Sequence, residues 1–125
     1  MRLVPFYLLS LALLMACSDD DVISKAACGV NDPIRDLNWL AQEVEERETN
    51  PTEDTKYCYI TQAEYQGETV FVYWDCNPLI DKIIPIFDCD GNQRNGLTGS
   101  PIALDDLEGQ RIIWRPPGFA CNPNF

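Results

Sequence analysis

Apolar and polar residues alternate with a different period in each stretch of the 125-residue chain. Leu3 to Ala16 is apolar almost throughout, broken by Pro5 and Ser10, and stops at Cys17 before Ser18-Asp19-Asp20-Asp21. From Pro33 the period is helical: Ile34, Leu37, Leu40, Ala41 and Val44 fall on one face, while Arg35, Gln42, Glu43, Glu46 and Arg47 fall away from it. Asp32 is placed as an N-cap, Pro33 suits the first helical position, and Asp36 faces the positive end of the helix dipole. The pattern predicts one amphipathic helix of about four turns that ends before Asn50-Pro51. Trp39 lies beside its apolar stripe, at the rim of the core.

Beyond Thr55 the period becomes two. Residues 56–64 and 68–75 read as strands around a Gln66-Gly67 turn, a hairpin signal. A third apolar run, Ile83 to Phe87, ends at Asp88-Cys89-Asp90-Gly91-Asn92, where Asp90-Gly91 suits a tight turn. Residues 104–109 suit one helical turn, and Gln110 to Arg115 forms a last strand stopped by Pro116-Pro117. One helix followed by four strands predicts an α+β fold: the helix packs on one face of a mainly antiparallel sheet, in a single domain over residues 28–125.

The segment before that domain reads as an address. The apolar run is 14 residues long, short of the roughly 20 that a spanning helix requires. With Arg2 as a minimal charged start and Ala16 before the cut, residues 1–16 have the parts of an export signal. Leu14-Met15-Ala16-Cys17 resembles the lipobox of bacterial lipoproteins, which implies cleavage before Cys17 and acylation of its thiol. Ser18-Asp19-Asp20-Asp21 resembles the acidic tetrad that sends Bacteroidota-type lipoproteins to the outer face of the outer membrane, the periplasm-facing leaflet being the alternative. Residues 17–27 then form an acidic tether, extended by like-charge repulsion.

Charge and cysteine chemistry narrow the function. There are 20 acidic and 9 basic side chains, for a net charge of −11; removal of Arg2 with the signal makes it −12. Such a chain repels phosphate backbones, so nucleic acid is not an expected partner. The chain has 6 cysteines and no histidine. With Cys17 given to lipid, Cys28, Cys58, Cys76, Cys89 and Cys121 remain, which in an oxidising compartment implies two disulfides and one free thiol. Many pairings are open. Cys76 with Cys89 is the preferred one, because both end strand-like runs joined by a short connection; Cys28 with Cys121 would tie the chain ends and leave Cys58 free. No CxxC pair occurs, so structural zinc is not expected, and no cofactor is.

The blocks "CGVNDPIRDLNWL", "YITQAEYQGETVF", "DCDG" and "IIWRP" together resemble a family of small, uncharacterised lipoproteins from Bacteroidota. The resemblance covers nearly all of the chain after Cys17 and implies the same address and fold. It carries no activity and no site residues.

No block is a catalytic motif either. Without histidine there is no Ser-His or Cys-His nucleophile pair. Asp88-Cys89-Asp90-Gly91-Asn92 begins like a calcium loop, but the glycine comes at the fourth place and Gly99 stands at the twelfth, where a bidentate carboxylate belongs. Asp105 and Asp106 are adjacent, and neighbours on a chain point apart rather than flank a bond. The remaining candidates are aromatic. Tyr57, Tyr59, Phe71 and Tyr73 are expected on the sheet face opposite the helix, where they would dock a protein or glycan partner unless the 93–109 loop and the tail cover them. The expected function is an exported, lipid-anchored, non-catalytic binding or scaffolding protein, with the membrane reached through its lipid. The alternatives are a protease-inhibitor-like module that presents the 93–101 loop, and a small enzyme.

Overall fold

A tight hairpin organises the domain. In the computed structural model, which describes residues 22, 24–79, 81–95 and 102–125, strands β1 (Cys58–Tyr65) and β2 (Glu68–Asp75) pair antiparallel over their whole length. The two turn residues, Gln66 at φ 49° and Gly67 at φ 78°, both adopt left-handed backbone, which matches the twist of the flanking strands. Strands β3 (Ile86–Phe87) and β4 (Glu108–Trp114) complete an antiparallel sheet in the order β3-β2-β1-β4. The fold is α+β. The export signal, Cys17 and the Ser18–Asp21 tetrad lie outside the described residues.

The helical stretch is broken once. Helix α1 (Pro33–Asp36) and helix α2 (Asn38–Thr49) are separated by Leu37, whose φ of −88° and ψ of 109° are extended. Asp32 occupies the N-cap position of α1 but makes no side-chain cap; its carboxylate instead accepts the Ser24 hydroxyl and pairs with Arg35. The break turns Leu37 and Trp39 to the same core as Leu40, which is fully buried. Helix α2 ends where expected, with Asn50 N–H donating to the Glu46 carbonyl.

Each sheet face has its own core. Beneath the helices Leu40, Ile60, Phe71, Ile113 and Trp114 pack together. A β-bulge puts two consecutive β4 residues there, since Ile60 pairs with Trp114 and Thr61 with Ile112, leaving Ile113 as the extra residue. On the other face Ala63, Val70, Val72, Ile86 and Ile102 cluster, with Trp74, Leu104 and Leu107 against them. Fully buried Thr61 is satisfied there: its hydroxyl oxygen accepts the Trp74 indole N–H at 2.9 Å and lies 3.2 Å from Gln110 Oε1. On the helix side the buried Gln62 amide clasps the backbone of Lys25, accepting its N–H at 3.1 Å and donating to its carbonyl at 2.8 Å. The N-terminal segment is therefore held to the fold from Lys25, three residues before Cys28.

Two expectations are corrected here. The strand expected from Ile83 shrinks to two residues: Pro85 has no N–H to donate, although its carbonyl accepts from Tyr73, and Ile83 is exposed. The disulfides join Cys28 to Cys89 and Cys76 to Cys121, rather than Cys76 to Cys89 and Cys28 to Cys121; Cys58 is free. Cys76 follows β2 and Cys89 follows β3, and the exits of two antiparallel neighbours lie at opposite ends of the pair. Cys89 therefore reaches the Cys28 turn beside Trp39, whose indole N–H donates to the Cys89 carbonyl at 2.9 Å. Cys76 meets the returning tail, where Ala120 N–H donates to the Lys56 carbonyl.

Candidate functional site

The four aromatics expected to form one docking face do not share one. A two-residue turn pairs Tyr65 with Glu68, so each odd residue of β1 meets an even residue of β2. Tyr59 therefore faces Trp74, on the side away from the helices, while Phe71 and Tyr73 lie beneath them. Tyr59 is only 5% exposed, stacked on Trp74 with ring centroids 6.0 Å apart and met edge-on by Phe119 of the tail at 5.4 Å. Phe71 is fully buried and meets Trp39 edge-on, and Tyr73 packs on Phe87. Tyr57 lies half-buried at the end of a 3₁₀ turn, with the Lys56 ammonium 5.1 Å from its ring centroid. Burial, then the nearby Glu43 carboxylate, pushes the Tyr73 hydroxyl far above the usual tyrosine range.

The loop readings resolve in the same way. Asp88 Oδ1 accepts the N–H groups of Asp90 and Asn92, both at 2.9 Å, so its carboxylate closes the turn. Residues 93–95 are pinned to β3: Arg94 N–H donates to Ile86, and the Asn95 side chain bonds both the Ile86 N–H and the Ile84 carbonyl. Residues 96–101 of the expected inhibitor loop lie outside the described residues. Asp105 and Asp106 belong to a 3₁₀ turn over Leu104–Asp106.

The free thiol sits in a polar corner. Cys58 Sγ lies 3.8 Å from Asp75 Oδ2 across the hairpin, and Asp75 also pairs with Lys82 and accepts the Asn77 N–H. Burial, then the Asp75 charge, pushes the thiol above its ordinary value, which suppresses the nucleophilic thiolate. Burial acts to raise the pKa of Asp75, but hydrogen bonds from Lys82 and Asn77 outweigh it and hold the carboxyl below its ordinary value.

One concavity among the described residues was not anticipated from the sequence. A groove of about 780 Å³ opens between the last turn of α2, residues 51–56 and the exit of β4. Its wall carries Pro51, Pro116 and Pro117, together with Trp114, a residue only 6% exposed. The Trp114 indole N–H donates to Glu48 Oε1 at 3.1 Å. Arg47 beside it is locked: its Nε donates to Glu43 at 2.8 Å, and its guanidinium lies 4.7 Å from the Tyr73 ring centroid and 5.5 Å from that of Trp114. Thr52 and Thr55 bond one another in a capping box, so these hydroxyls serve the turn. In the sequence Pro116-Pro117 carried only a strand stop. The signal that marks the groove is a tryptophan followed within three residues by two prolines, combined with the tight turn that Thr52 and Thr55 enforce.

No known family, curated protein or solved structure matches this chain.

Proposed function

We propose that the chain is an exported, lipid-anchored binding protein of the kind its sequence resembles: residues 1–16 are its export signal, Cys17 its acyl attachment site and Ser18–Asp21 its address to the outer membrane. It works by binding rather than by catalysis, and the groove between α2 and the β4 exit is where it binds. The groove carries this reading, since about 300–1,000 Å³ lined by apolar residues with a few fixed polar groups is the ordinary form of a ligand site. The two disulfides support export, because such bonds persist in oxidising compartments. Replacing Cys17 with alanine should leave an uncleaved precursor that takes up no labelled palmitate; labelling of that variant would overturn the anchoring. Replacing Asp19, Asp20 and Asp21 with alanine should hide the domain from protease added to whole cells.

A further inference from the structure

Resting on that reading, we infer that the groove takes a cationic peptide segment of a partner protein, whose apolar side chains lie on the prolines and whose lysine or arginine meets the acidic rim. Two carboxylates line the groove, Glu48 and Glu53, and both residues are exposed. Arg47, also on the wall, is neutralised by Glu43 and held against two rings. Helix α2 ends at this wall, and the negative end of its dipole favours a cation. The net charge of −11 draws cationic partners from a distance and repels anionic ones. Lys56 is the opposing charge on the wall, and among the described residues it has no carboxylate within ion-pair distance.

The same wall disfavours a glycan. Sugars stack on exposed aromatic faces, whereas Trp114 is only 6% exposed, and the Thr52 and Thr55 hydroxyls that could meet sugar hydroxyls are engaged with each other. The exposed prolines, Pro51 and Pro117, remain as apolar surface, and they suit aliphatic side chains.

The test uses the full chain, isotope-labelled and held in neutral detergent. It is titrated with acetyl-Leu-Lys-Pro-Phe-Lys-Leu-amide, with the same peptide carrying Glu for Lys, and with maltohexaose. The lysine peptide should shift the Trp114 indole signal and the amides of Thr52 to Lys56, bind more tightly than the glutamate peptide, and weaken as salt is raised. Glu53→Gln should weaken it by about two- to fivefold, the scale of one exposed ion pair, and Lys56→Gln should tighten it by a similar factor. Opposite signs from neighbouring surface positions cannot come from a loss of folding. Equal or tighter binding of the glutamate peptide in the groove would overturn the inference and leave the groove reading standing. Lysine-peptide shifts confined to another face would overturn the groove reading itself. The cationic-peptide inference also fails if maltohexaose alone shifts the groove signals, or if neither peptide shifts them at millimolar concentration.

Discussion

Truncating Tyr59 to alanine measures whether the sheet face away from the helices is a core or a surface. The side chain is 5% exposed, lies nearly parallel to Trp74 with 7° between ring planes, and is met by Phe119 at 77°. Removing a buried aromatic ring costs about 3–5 kcal/mol through lost transfer energy and the cavity it leaves. Each aromatic pair adds about 0.5–1.5 kcal/mol, but the two pairs share one ring and are already counted in part, so about 4–5 kcal/mol is expected. For a domain of about 100 residues that is a fall in melting temperature of roughly 15–30 °C. Tyr59→Phe keeps the ring and should stay within about 1 kcal/mol, and Tyr57→Ala, half-buried at a turn, should cost well under half as much as Tyr59→Ala. Urea unfolding with the disulfides intact gives the free energies by linear extrapolation. A cost below about 1 kcal/mol for Tyr59→Ala would refute the covered face and show that the tail leaves it open.

Further outcomes follow from the disulfides, the turns and the Asp75 corner. Non-reducing peptide mapping should find Cys28 linked to Cys89 and Cys76 to Cys121, with Cys58 alkylated fully only after unfolding; a Cys76–Cys89 peptide would contradict the observed sheet. Spanning 61 and 45 residues, the two bonds should each contribute about 4 kcal/mol in the chain-entropy account, read as the loss on paired Cys→Ser replacement. Gly91→Ala should cost about 2–5 kcal/mol by denaturant unfolding, because φ is +81° and a Cβ would lie 2.9 Å from the Trp39 ring; Gly67→Ala, with open space around it, should cost about 1–2 kcal/mol. The folded pKa of Asp75 lies below its ordinary 3.8, so its contribution is fully present above that value and is lost as pH falls through the folded one. Asp75→Asn should accordingly flatten the acid limb of stability against pH, and an unchanged limb would contradict the assignment.

Much of the fold was legible because its signals are local. Gln66-Gly67 between two β-rich runs sets the hairpin with no help from distant residues, and Asn50-Pro51 stops the helix where expected. What escaped depends on parity and direction. The aromatic residues alternate as expected, but whether Tyr59 and Tyr73 share a face is decided by the pairing of Tyr65 with Glu68. The cysteine pairing required knowing that β2 and β3 leave the sheet at opposite ends. Leu37 fits the helical stripe in sequence, and only the packing of Leu37 and Trp39 into one core explains its extended backbone. The groove was illegible for a related reason: Arg47, Lys56, Trp114 and Pro117 belong to three segments that the bulge at Ile113 and the return of the tail bring together.

The two disulfides overlap along the chain, since Cys76 lies inside the span from Cys28 to Cys89 and Cys121 lies beyond it. Their covalent graph is therefore one block of interlocked rings, in which every peptide bond between Cys28 and Cys121 is bypassed by another route. A protease that cuts once anywhere in that interval, the 93–101 loop included, releases no fragment, because both halves remain joined through sulfur. Only a cut before Cys28 or after Cys121 sheds material, so under the proposed anchoring the domain is lost whole at its stalk or is kept whole.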